Sequence, residues 1–391
     1  MTKSLLIACL LISTIAKSQQ PKVLVMDAGR LQEIKIKQEA NKEIIKGISD
    51  LRKQADSLLP MKLLSVMDKA FTPVSGNKHD YMSQAPYFWY DSTKPDGLPY
   101  MRKDGVRNPE IYKINDRTYL GRLENASRIL SLTWYLTQEE KYAEKAAALL
   151  RTWFLDEATK MNPHLEYGQA IPGINTGRGI GIIETIALIN IADAASLLLG
   201  SKSWTATDHQ SLQKWYTRYL NWLLSSKNGN DEHKAKNNHG TWYYAQAIDF
   251  ALFTGDTKKA KQLVEETKAR LDSQLTKEGK QPLELERTNG LGYSTMNLRG
   301  WFTVATLAEK TGTDLWHYKT SKNTHLRAAL DWLLPYAMGE KKWEYDQINK
   351  YNKSEIYPLL LQAAKVFKDE QYLIKAGQPD KDTITDLLLR N

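Results

Sequence analysis

The sequence predicts an all-α chain folded as an incomplete (α/α) toroid, a curved stack of αα-hairpins. Three observations predict it. Apolar residues recur at helical rather than alternating spacing along most of the 391 residues. Runs of β-branched residues bounded by turns are scarce, so no sheet domain is expected. A weak repeat joins an apolar helix, a short polar turn and an Ala- and Lys-rich helix, at 134–150, at 250–271 and more faintly at 364–372. Each unit reads as an αα-hairpin, and stacked hairpins build solenoids or, when they curve, toroids. The repeat spacing is irregular, which argues against a strict superhelical array.

At the N-terminus, Lys3 precedes an apolar run at 5–15, followed by Ala16-Lys17-Ser18-Gln19. A charged start, a short apolar core and a small-x-small site form the pattern of an export signal. Residues 1–18 are therefore expected to be a signal peptide, 19–391 a single domain, and the location periplasmic or extracellular. A lipoprotein reading through Cys9 ranks second, because the apolar run continues past that cysteine. No later stretch has about 18 consecutive apolar residues, so no membrane span is expected.

The helices follow in order. Asp27 caps a long helix to about Leu59, with Leu31, Ile34, Ile44, Ile48, Leu51 and Leu58 as its apolar stripe. Further helices are predicted at 117–137, 140–156, 180–199, 206–226, 240–254, 256–275, 295–311, 326–337 and 357–368. Two stretches break the pattern, 71–116 and 158–179. Both are rich in Pro, Gly, amides and aromatics, and long loops of this kind in a compact domain usually carry function.

The formal charge is +9, or +7 without Lys3 and Lys17, which favours a polyanionic partner. Nucleic acid and acidic polysaccharide both qualify, and export favours the polysaccharide. Eleven Trp and twenty Tyr supply faces for sugar rings, although most aromatics belong to the core. The single Cys lies in the signal segment, so neither disulfides nor thiol catalysis is expected in the domain. The seven His are dispersed, and His233 and His239 have no metal-ligand spacing. There is no phosphate-cradling loop, dinucleotide fingerprint or nucleic-acid motif. No metal and no cofactor are expected.

Two segments carry the chemistry. In Lys236-Asn237-Asn238-His239-Gly240-Thr241-Trp242, amides and an imidazole stand where a polar loop enters a helix. A helix N-terminus suits an anionic ligand. The second segment, 282–294, brings Glu284, Glu286, Arg287 and Tyr293 to another loop-to-helix junction. Arg pairs with a carboxylate through two prongs, Tyr moves a proton if a cation lowers its pKa, and Glu286 is placed to hold Arg287. Together they meet the need of a uronate, whose C5 proton is poorly acidic until its carboxylate is neutralised. Asn238 and Arg287 suit neutralisation, while His239 and Tyr293 suit proton transfer.

The Asn-Asn-His-Gly-Thr-Trp block, the Arg287 and Tyr293 pair and the stretch from Ala170 to Gly179 resemble the alginate lyase superfamily over roughly residues 60 to 370. Within it, the chain is more similar to polysaccharide lyase family 38 than to family 5. The resemblance implies an α/α toroid that cleaves alginate or glucuronan by β-elimination without a cofactor. It implies Tyr293 as catalytic acid and as base for syn elimination, and His239 as base for the opposite epimer. Asn238 and Arg287 would bind the carboxylate. Tyr87, Trp89, Arg178 and Trp242 are candidate substrate contacts. Gly240 departs from family 5, where a Ser follows the His, which puts substrate preference more than reaction type in question.

Two other readings stay open. A glycoside hydrolase on a similar scaffold would need paired carboxylic acids, for which Glu166, Glu184, Glu284, Glu286, Asp80 and Asp91 are available. A non-catalytic protein that binds acidic glycans would use the same charge and aromatics.

Overall fold

The computed structural model describes residues 20–377 and Leu388, so the expected signal segment and Cys9 lie outside the described residues. The helices are α1 (Ala28–Lys37), α2 (Lys42–Leu58), α3 (Asp116–Thr137), α4 (Glu140–Phe154), α5 (Ala187–Leu197), α6 (Ala206–Ser225), α7 (Lys227–Lys234), α8 (Asn238–Phe253), α9 (Thr257–Gln274), α10 (Pro282–Leu285), α11 (Gly290–Glu309), α12 (Leu326–Ala337), α13 (Tyr357–Phe367) and α14 (Gln371–Ala376). Four short strands complete the set, β1 (Met82–Gln84), β2 (Phe88–Trp89), β3 (Met101–Arg102) and β4 (Tyr167–Ala170).

Burial separates the helices into two layers. Fourteen of the sixteen residues of α8 are buried, against six of the eighteen in α9. α3, α5, α8 and α11 pack in sequence as an inner row, with α4, α6, α9 and α12 outside it. An inner helix must be apolar on nearly every side, whereas an outer helix needs only one stripe. This two-layer curve of hairpins is the expected α/α toroid.

Three local expectations are corrected. The long helix predicted from Asp27 to Leu59 is two helices. Asn41 accepts hydrogen bonds from the amides of Glu43 and Ile44, at 2.9 and 3.1 Å, and so restarts the helix. The first half of the predicted 180–199 helix is a 3₁₀ turn, Gly179–Ile186, running into α5. α7, α10 and α14 are additional; α7 is polar along most of its length and shows no apolar stripe to read. Gly179–Leu197 is long and apolar enough by composition to cross a membrane, yet 67% of it is buried inside the fold.

The two non-helical stretches are ordered against each other. β1 pairs in parallel with β4, Met82 opposite Tyr167 and Gln84 opposite Ala170. β2 and β3 form an antiparallel pair within the first stretch. Asp116, at the start of α3, accepts from the amide of Met82 (2.9 Å) and pairs with the fully buried Lys69 (3.0 Å). Glu184 accepts from the hydroxyls of Tyr81 (2.8 Å) and Ser83 (2.6 Å). The first loop is thereby fixed to α3 and to the 3₁₀ turn before α5, and the β1–β4 pair ties the second loop to it.

Candidate active site

The site begins at the entrance to α8. Arg270 of α9 donates to the carbonyls of Ala235 and His233, and Gln274 donates to those of Lys236 and Asn237. These bonds pin the loop that delivers Asn238 and His239. Gly240 has a steric reason: a Cβ there would run into the Ala235 carbonyl and the Arg270 guanidinium. A serine in its place would displace the clamp.

The anion expected at this helix N-terminus is the protein's own. Asn238 donates its amide N–H to Glu284 Oε1 (2.6 Å) and its side-chain Nδ2 to Glu284 Oε2 (2.7 Å). Glu284 is 1% exposed, and burial raises its pKa despite the Asn238 hydrogen bonds and the nearby charges of Arg287 and His239. It sits on α10, which Pro282 starts and which Gln281 anchors through hydrogen bonds with Ser294 and Asn297. Asn238 Oδ1 is buried without a partner, while one of the two Nδ2 hydrogens is taken by Glu284. His239 engages Glu232 of α7, with Nδ1 2.7 Å from Oε1.

The second segment supplies a cation over a ring. The Arg287 guanidinium lies 4.0 Å from the centroid of the Tyr293 ring. Its Nε and Nη2 donate to Asp104, at 3.2 and 3.0 Å, and the Thr288 hydroxyl donates to the same carboxylate at 3.1 Å. The expectation that Glu286 holds Arg287 is thus corrected: Glu286 is exposed, and Asp104, from the first long loop, takes that place. Burial opposes the charge of Asp104, but Arg287 outweighs it and holds the carboxyl at about 2. Burial also opposes the charge of Arg287, yet Asp104 raises its pKa.

Tyr293 donates to the hydroxyl of Tyr87 at 3.1 Å. Its proton is held more tightly than in a free tyrosine, through burial first and then Tyr87, and Arg287 only partly counters this. The expectation of a tyrosine activated below its ordinary pKa is therefore corrected for the substrate-free protein. At Tyr293, burial outweighs the cation beside it.

The other predicted contacts divide. Tyr87 reaches the site and lines a cavity of about 500 Å³ with Gly105, Val106, Arg107, Ile348 and Asn349. Trp89 is half-buried in the same loop, donating to the Val106 carbonyl at 2.9 Å with Lys103 over its ring. Arg178 stacks 5.1 Å from the centroid of Phe88 and donates to Gln169 at 2.8 Å. Gln169 is buried at a positive φ of 51°, a backbone conformation that non-glycine residues adopt mainly where the surroundings enforce it. Trp242 is corrected. It is 6% exposed, packs against Gly300 and lines a separate cavity of about 600 Å³ with Met26, Arg299, Phe302 and Pro358. The all-round burial of α8 draws it into the inner layer.

Sequence reasoning passed over Glu232, Asp104 and Gln169, and weighed Glu284 only as a hydrolytic acid. None stands in an apolar pattern, so only spatial neighbours reveal them. Of the six acids weighed for a hydrolase, four are engaged by other partners: Glu166 with Trp222 and Asn228, Glu184 with Tyr81 and Ser83, Asp80 with Ser75 and Asn162, Asp91 with Thr93; Glu284 is bound to Asn238 within the site, and Glu286 is exposed. Among the described residues no group of three His, Cys, Asp or Glu side chains is placed to hold a metal ion.

A family model described as alginate lyase matches residues 65–343. A solved alginate lyase from Bacteroides ovatus is 37% identical, with 94% of this chain and 99% of that one covered at a TM-score of 0.90. Alginate lyase A1-III from Sphingomonas species A1 shares the fold at 16% identity, with 94% and 97% covered and a TM-score of 0.61. A variant of A1-III complexed with a tetrasaccharide matches equally well in fold, at 15% identity, 96% and 98% coverage and a TM-score of 0.61. None of the curated proteins compared matches the chain.

Proposed function

The chain belongs to the alginate lyase family and is a polysaccharide lyase, and from that premise we propose that it depolymerises a 4-linked polyuronate, alginate first and glucuronan next, by β-elimination. The observation that carries this reading is one connected cluster. Glu284 grips Asn238 and lies within electrostatic reach of Arg287 and His239, and Arg287 lies over Tyr293.

In this reading the substrate carboxylate meets the guanidinium of Arg287 and the second Nδ2 hydrogen of Asn238, a residue the fold leaves 1% exposed. Drawing negative charge off that group makes the C5 proton removable and stabilises the enolate-like intermediate. A base breaks the C5–H bond, and the electron pair forms the C4–C5 double bond. The C4–O4 bond then breaks, and Tyr293 gives its proton to O4. In mannuronate and glucuronate the C5 hydrogen lies on the side of the leaving oxygen, so Tyr293 also serves as base from its ionised form. In guluronate it lies on the other side, and His239 is the base. Tyr87, Trp89 and Arg178 contact the sugar chain. The proposal includes export through residues 1–18, since such polymers are met outside the cell.

The test is a near-ultraviolet assay for the new double bond on polymannuronate, polyguluronate, mixed alginate and glucuronan. Absorbance should grow on at least one of them, and Tyr293→Phe should abolish it. A wild-type protein that shortens none of these polymers, or a Tyr293→Phe variant at full rate, would overturn the reading.

A further inference from the structure

We infer that Glu232 is a positioning residue that sets which uronate epimer this enzyme attacks, by holding His239 ready as a base. The inference rests on the reading of His239 given above.

Glu232 belongs to neither motif and comes from a different helix. It is the inward-facing carboxylate of the otherwise polar α7, and its side chain is 1% exposed. Gly179 lets this helix come close, since a Cβ there would stand 2.6 Å from the Asn228 carbonyl and 3.0 Å from the Glu232 amide nitrogen. Burying a carboxylate is costly unless it is paired, and the partner Glu232 has is His239 at 2.7 Å. Its second oxygen is buried without a partner. Arg178, from the second long loop, and Arg270 of α9 feel its charge, as does Tyr219 of α6, while Glu284 faces His239 from α10.

The pairing has a definite consequence. A carboxylate only accepts, so His239 Nδ1 carries the hydrogen and a neutral ring keeps its lone pair on Nε2. Nε2 has no hydrogen-bond partner among the described residues, and the side chain keeps 15% of its surface open. When Nε2 takes a proton the ring becomes cationic, and Glu232 is in place to stabilise it. That help reaches only the route that uses His239. Syn elimination, where Tyr293 both removes and returns protons, does not draw on Glu232.

The experiment compares wild type, Glu232→Gln, Glu232→Asp and His239→Ala on polymannuronate and polyguluronate, with thermal unfolding as a check on folding. Glu232→Gln should lower kcat on polyguluronate by about 100-fold, within the range general bases contribute. Its rate on polymannuronate should stay within about threefold. Glu232→Asp keeps the charge but draws it back; it should lose about tenfold on polyguluronate alone, and it carries the test if the Gln variant does not fold. Equal losses on both polymers would mark Glu232 as merely structural and overturn the inference. Loss in His239→Ala with full polyguluronate activity in both Glu232 variants would overturn it too, leaving the base intact. If His239→Ala itself keeps the polyguluronate rate, the assignment of the base fails and the inference with it.

Discussion

The guanidinium of Arg287 lies over the ring of Tyr293, 4.0 Å from its centroid. The residue assigned to the substrate carboxylate and the residue assigned to the leaving oxygen are thus one stacked unit. Lysine keeps the charge but has neither the plane nor the fork. Arg287→Lys should therefore lower kcat/KM on polyuronates by about 10- to 100-fold, with a smaller change in melting temperature. Steady-state kinetics beside a thermal melt checks this, and an unchanged kcat/KM would remove Arg287 from the site.

Asp104 already occupies the fork of Arg287. Asp104→Asn keeps the shape and removes a charge that competes with the substrate. KM should fall by about fivefold at low ionic strength, the equivalent of about 1 kcal/mol, and the difference should fade with added salt. The depressed pKa gives a sign for stability. A carboxyl at about 2 in the folded protein contributes stability that is present above its unfolded value near 3.9 and lost as pH falls toward 2. Acid unfolding of the variant should accordingly be less steep between pH 4 and 2.

Tyr87→Phe removes the acceptor of the Tyr293 proton. Burial remains the main force raising the pKa of Tyr293, but the contribution of Tyr87 disappears. On polyguluronate, where Tyr293 acts only as the acid, the alkaline limb of the pH–rate profile should move to lower pH, with kcat down about tenfold and KM little changed. An alkaline limb that stays in place would separate Tyr87 from the acid.

Asp249, in the middle of α8, is fully buried, and neither carboxylate oxygen has a partner. Burial first, and the neighbouring Asp193 second, push its pKa well above the usual range. A raised carboxyl pKa makes the fold lose stability as pH rises above the unfolded value near 3.9. Asp249→Asn should therefore match wild type near pH 4 and exceed it by about 1–3 kcal/mol at pH 7. Denaturant titrations at the two pH values measure the difference.

The helical framework was legible because an inner and an outer helix leave different apolar signatures, as α8 and α9 do. The junctions bearing Asn238, His239, Arg287 and Tyr293 were legible because polar residues at loop-to-helix joins stand out against that periodicity. Trp242 was misread for the same reason: proximity in sequence to His239 says nothing about which layer a side chain enters. Glu232, Asp104 and Gln169 are single polar residues whose meaning comes from partners 7 to 183 positions away. The break at Asn41 was legible in principle, since the apolar stripe lapses between Ile36 and Ile44 and Asn41 in that gap is a residue type that caps helices.

Asp193, on α5, gathers the backbone amides of Leu24, Val25 and Met26, the last at 2.7 Å. This has a practical bearing on recombinant work. An expression plasmid whose open reading frame starts at residue 28 would deprive that acid of three donors at once and invite insoluble product. An affinity handle is better joined upstream of residue 20, where the anchoring peptide stays whole.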